Sequence, residues 1–160
     1  MKTLLFLLSC VTVYAADPLL PDTNLTPGDV VTNVPIQTLM QHGYTATKGI
    51  RSVSGKVHKA VFVRYNIADV PGHYEVDHLI SLELGGSNSI SNLWPQSYVT
   101  MPWNAHVKDK LENYLARRVR EELRTNDVAS AQRMLHHFQL EIAENWITCF
   151  KNHMPVEQMP

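Results

Sequence analysis

The chain reads as an α+β domain, a small hairpin packed among helices, and three observations predict it. After residue 104 two long apolar stripes recur at helical spacing. Before them a short stretch rich in β-formers, Tyr74-Glu75-Val76-Asp77-His78-Leu79-Ile80, runs into a Gly85-Gly86-Ser87-Asn88 turn. No internal repeat or low-complexity tract is present, so one domain with one core accounts for the 160 residues.

Taken in order, residues 1–15 carry Lys2, an apolar run from Leu4 to Leu8 extended by Val11 and Val13, and a small-residue pattern ending at Ala15. The run is too short to cross a bilayer, and the pattern is that of a secretory signal peptide cut after Ala15. The expected location is therefore secreted or periplasmic. Without the leader, thirteen basic residues face fifteen acidic ones, a formal charge of −2, so total charge gives nucleic-acid binding no support. Cys149 becomes the only cysteine, which excludes an intramolecular disulfide and reads as a buried thiol in an amphipathic helix.

Residues 16–45 contain Pro18, Pro21, Pro27 and Pro35, a composition against helix or central strand, and read as an extended arm draped on the domain. The domain itself is expected over 46–152, with a tail at 153–160. Val57, Ala60, Val61, Arg64 and Tyr65 predict a helix at about 56–66, ended by Pro71-Gly72. Leu93 and Trp94 supply the returning strand of the hairpin, stopped by Pro95. Asn104 is a good N-cap for a helix carrying Val107, Leu111, Tyr114 or Leu115, Val119 and Leu123 on one face. Asn126 or Asp127 caps a second, with Val128, Ala131, Leu135, Phe138, Ile142, Trp146 and Phe150 along its stripe.

The chemistry gathers between Glu75 and Leu115. Hydrolysing a phosphodiester needs a base to deprotonate water and a cation for the charge that develops on phosphate and leaving oxygen. His78 with a metal held by Asp77 and His106 would provide both. Neighbouring strand residues point to opposite faces, so Asp77 and His78 share a site only at a bulge or a strand end. His106 falls in the first helical turn, whose side chains project back towards the hairpin. Asn92, beyond the Gly-Gly loop, is suited to tie that loop down and hold His78.

Val76-Asp77-His78-Leu79-Ile80, Leu82-Glu83-Leu84-Gly85-Gly86 and Asn92-Leu93-Trp94-Pro95 together resemble the HNH endonucleases of the His-Me finger group. Asn104-Ala105-His106-Val107-Lys108-Asp109-Lys110-Leu111-Glu112 is similar to the third motif of a secreted or phage-associated branch. The resemblance implies a ββα-metal hairpin-helix unit packed among additional helices. It also implies His78 as general base, Asn92 as the middle Asn, and Asp77 and His106 as ligands of one divalent ion (Mg, Mn, Ni or Zn). Two departures stand out: no cysteine accompanies the third motif, so no structural zinc is expected, and the Asn92–His106 interval is long, which leaves Asn104 as the alternative to His106. Ser81 stands where many relatives have Pro, a change expected to be neutral for chemistry.

The other candidates have plainer readings. His42, His58, His73, His136, His137 and His153 have no partner pattern and default to surface or capping roles; Trp94, Trp103 and Trp146 read as core, and Glu83 and Glu112 as structural ion pairs. Lys48, Arg51, Lys56, Lys59 and Arg64 form a run with no acid between them, and Lys108 and Lys110 begin the basic series of the long helix. Arg51, Lys56, Lys108 and Lys110 are the expected phosphate contacts, which hold a backbone without reading bases. The expected activity is a low-specificity endonuclease acting on nucleic acid, with DNA the expected polymer. The competing expectation is a non-catalytic exported module that binds nucleic acid or a protein. An exported toxin with a cognate inhibitor protein would share the chemistry.

Overall fold

The structure is a computed structural model that describes residues 17–46 and 52–160. The leader, Lys48 and Arg51 lie outside the described residues. Helix α1 spans Ile36–Leu39 and α2 Gly55–Tyr65; strands β1 (Tyr74–His78) and β2 (Leu93–Ser97) follow, then α3 (Ala105–Thr125) and α4 (Val128–His153). The α+β class stands: a two-stranded antiparallel sheet among helices.

The arm is not wholly extended. Pro35 starts a single helical turn whose Ile36 and Leu39, with Met40 after it, are buried in the main core. Proline's fixed φ suits the start of a helix, so the residue that argues against a long helix here begins a short one.

β2 likewise passes through Pro95 rather than stopping at it. Asp77 pairs with Trp94, Val76 with Pro95 and Glu75 with Gln96. The flanking bonds Leu79 N–H to Asn92 C=O and Tyr98 N–H to His73 C=O put the bonded pairs at odd positions of β1. Pro95 therefore occupies a non-bonded position of the ladder, where its missing N–H costs nothing.

Both helix starts fall where the caps predict. The Asn104 side chain accepts from Val107 N–H, and Asp127 does the same for Ser130. α4 is broken at Asn145, whose backbone is extended (φ −166°, ψ 99°) and whose side chain accepts from Thr148 N–H and so caps the second segment. The core lies between α3 and α4 and under the hairpin, with Leu79, Leu84, Trp94, Leu111, Leu115 and Ile142 essentially sealed from solvent. Burying each such aliphatic side chain is worth about 1.5–3 kcal/mol. Trp94 and Trp146 are core residues, and partly buried Trp103 meets Trp146 and Phe150 edge-on.

The arm is sewn to the hairpin loop. Val30 bridges Gly86, Val31 N–H donates to Gly85 C=O, Gly28 N–H to Ser91 C=O, and the Thr26 hydroxyl to Leu93 C=O. Farther back, Leu19 C=O accepts from the Trp146 indole, and Asp17 receives hydrogen bonds from His73, Tyr74, Ser97 and Thr100.

A candidate active site at the end of the hairpin

β1 ends at His78, and consecutive residues of its last part border one pocket. Asp77 and His78 both line a cavity of about 280 Å³, together with Glu75, Ser81, Asp109 and Glu112. A larger groove of about 1200 Å³, lined by Lys59, Phe62, Val63, Val70, His73 and Tyr74, lies away from this pair.

The loop that follows is held by Asn92, which is completely buried. Its Oδ1 accepts from Ile80 N–H (3.0 Å) and Asp29 N–H (3.3 Å), while its Nδ2 donates to Ile80 C=O and Ser87 C=O (both 2.9 Å). All four hydrogen-bonding positions of the amide are used. Fixing Ser87 fixes its neighbour Asn88, whose Oδ1 lies 2.8 Å from His78 Nε2. With the amide oxygen as acceptor, the Nε2–H of His78 donates to Asn88 and the ring is held in one orientation.

The two glycines are dictated by this geometry. Gly85 has φ +82°, and a Cβ on Gly86 would fall 1.7 Å from Ile80 C=O. Only a residue without a side chain lets the backbone come that close.

α3 closes the pocket with a buried ion cluster. Lys108, 1% exposed, spends its three ammonium protons on Asp77 Oδ2 (2.6 Å), the His78 carbonyl (2.7 Å) and Glu112 Oε1. Burial alone would lower its pKa, but the Asp77 and Glu112 carboxylates outweigh burial and hold it above its ordinary value. Burial raises the Glu112 carboxyl, with Lys108 pulling it down and Asp77 and Asp109 adding to the rise. Glu75 is raised by burial and by Asp77; its carboxylate accepts from the Tyr98 hydroxyl at 2.9 Å.

The expected residues divide accordingly. Asp77 and His78 line one pocket, Asn92 is buried behind the loop and outside the lining, and Lys108 is buried against Asp77. His106 is exposed, packs its ring 5.2 Å from that of Tyr98, and is not in the lining; Asn104 is committed to the α3 cap. Lys108 is thus an interior residue, not a surface phosphate contact. Lys110 and Lys56 are exposed, and Val53, three residues before Lys56, lines the pocket. Arg64, read as part of the basic run, is partly buried and donates to the Ile90 and Leu25 carbonyls.

Glu112, expected in a structural ion pair, makes one with Lys108 but also lines the pocket, as do Glu75 and Asp109, which the sequence did not single out. The Lys108–Glu112 spacing of four, on a helix whose apolar stripe includes position 108, was the available signal. Ser81 escaped too. It is 6% exposed, lines the pocket, and its hydroxyl has no hydrogen-bond partner.

These donors fit a hard divalent ion. Four carboxylates and an orphaned hydroxyl are oxygen ligands of the kind Mg²⁺ and Mn²⁺ take. No three of the pocket's carboxylate and imidazole donors lie within 4.8 Å of one another. Among the described residues, the one group of three His, Cys or carboxylate donors within 4.8 Å of one another is His137, Glu141 and His153, on α4.

No family model, curated protein or solved structure matches the chain.

Proposed function

We propose that the chain is a metal-dependent HNH-type endonuclease that hydrolyses phosphodiester bonds of nucleic acid, DNA foremost, with low sequence specificity. One observation carries the reading: a histidine and an aspartate consecutive in sequence at the end of β1 line one small acidic pocket while Asn92 locks the loop behind them.

His78 is the base. Its Nδ1 takes a proton from a water molecule, which attacks phosphorus as the bond to the leaving oxygen breaks. Asn88 orients the ring through Nε2, and Asn92 acts one step behind by holding the chain next to Asn88. A divalent ion on the pocket carboxylates supplies the charge that the phosphate and the leaving oxygen need. Exposed Lys110 and Lys56 contact the backbone phosphates, an interaction that carries no base information.

The test is digestion of supercoiled plasmid by the chain from Ala16, with Mg²⁺, Mn²⁺, Ni²⁺ or Zn²⁺ and with EDTA, beside His78→Ala. Metal-dependent nicking that disappears in a variant melting within a few degrees of the parent supports the reading. Absence of cleavage from folded protein under every ion refutes it and favours a binding module.

A further inference from the structure

Lys108 is an unusual component for a site that must take up a cation. A fully buried ammonium already stands between two of the pocket's carboxylates, bound to Asp77 Oδ2 at 2.6 Å and to Glu112 Oε1. Because both oxygens touch the same nitrogen, they are no farther apart than the two hydrogen bonds laid end to end. A small inward shift brings them to the spacing of two ligands on one ion. Ser81, more than nine-tenths buried, lines the same pocket, and its hydroxyl has no hydrogen-bond partner.

We propose that Asp77 and Glu112 are the protein ligands of the divalent ion, and that the Lys108 ammonium is the internal cation this ion must displace. One positive charge on two carboxylates leaves the pair under-neutralised, whereas a divalent ion matches it. The ammonium keeps the two carboxylates together while no ion is bound, and competes with an ion that arrives. Glu112 thus takes the place on the helix that the sequence assigns to His106. The inference depends on the nuclease reading for expecting an ion at all, but its test reads binding, not cleavage.

The experiment titrates Mn²⁺ into the chain from Ala16 and follows melting temperature and calorimetric binding, with supercoiled-plasmid nicking in parallel. Lys108→Met should bind Mn²⁺ about tenfold or more tightly than the parent and gain a larger thermal shift, because the competing charge is gone. Glu112→Gln, which keeps the Lys108–Asp77 pair, should lose the shift. His106→Gln should keep it. Should Lys108→Met not fold, the comparison of Glu112→Gln with His106→Gln still decides. A Mn²⁺ shift that survives Glu112→Gln and vanishes in His106→Gln overturns the proposal, as does Mn²⁺ affinity in folded Lys108→Met no greater than the parent's. Binding that follows the proposed pattern without any nicking supports the ligand assignment and sinks the nuclease reading alone. Nicking that needs metal but ignores Glu112 does the reverse.

Discussion

Asn92→Ala removes the amide that holds the loop, and the structure sets the size of the effect. Ile80 is buried, so its N–H and C=O lose their only side-chain partner with no water to replace it. Each orphaned buried group costs about 1–3 kcal/mol. The Asp29 and Ser87 groups are partly exposed and recover a bond to solvent, while the vacated amide volume adds a cavity. The total comes to roughly 3–5 kcal/mol, a large share of the ~5–15 kcal/mol by which a domain is stable. At this chain length that is a fall in melting temperature on the order of 10 °C. Thermal and urea denaturation followed by circular dichroism measure it. Asn92→Asp should be about as damaging, since it aims a second oxygen at the Ile80 and Ser87 carbonyls. An Asn92→Ala melt within 2 °C of the parent would refute the assignment of this side chain as the tie of the loop.

Other perturbations are simpler to state. Gly86→Ala should fail to give soluble folded protein or lose several kcal/mol, because its Cβ meets backbone at Ile80 and not a yielding side chain; a normal melt contradicts the close approach. Burial alone would raise the Asp17 carboxyl, but hydrogen bonds from Tyr74, His73, Ser97 and Thr100 outweigh it and hold it at about 2. A lowered carboxylate pKa stabilises above its unfolded value and loses that contribution on acidification. The stability gap between the parent and Asp17→Asn should therefore be full above about pH 4 and close towards pH 2. Its size is roughly 2 kcal/mol before solvent screening and nearer 1 after it; a gap independent of pH removes the argument. Burial pushes the Cys149 thiol up to about 12, with Glu141 adding to it, so a thiol reagent should label it only as fast as the chain unfolds. Rapid labelling of native protein would mean that the α4 face opens.

Much of the frame was legible because local rules decided it. Asn104 and Asp127 cap where short polar side chains precede apolar stripes, and the Gly-Gly pair marks the hairpin loop. The alternation rule counted Asp77 and His78 as pointing apart, yet four consecutive residues, 75–78, border the pocket at the end of β1. What escaped was tertiary. Pro95 reads as a stop until its partner in the ladder is known, and Asn145 looks like any helical residue until the fold requires a bend. Lys108 reads as a surface cation by residue type, yet its position three residues before Leu111 and seven before Leu115 puts it on the buried stripe. His106 is next to the right helix end but on the wrong side of it. Residues two apart on a helix differ by about 200° in direction, so choosing position 106 over 108 chooses solvent over pocket.

The stitching of the arm ties the two ends of the chain into one event. The loop that aims His78 is completed by residues 26–31, and the arm is pinned again at Leu19 by the indole of Trp146, 127 positions later. Contacts so far apart in sequence form late, because the closure entropy of the intervening chain must be met first. A chain emerging residue by residue can therefore raise the hairpin and α3 early, yet it lacks the final brace of the loop beside His78 until the second segment of α4 has arrived. The braced loop is completed in the last step of folding and is the first feature given up when either end frays.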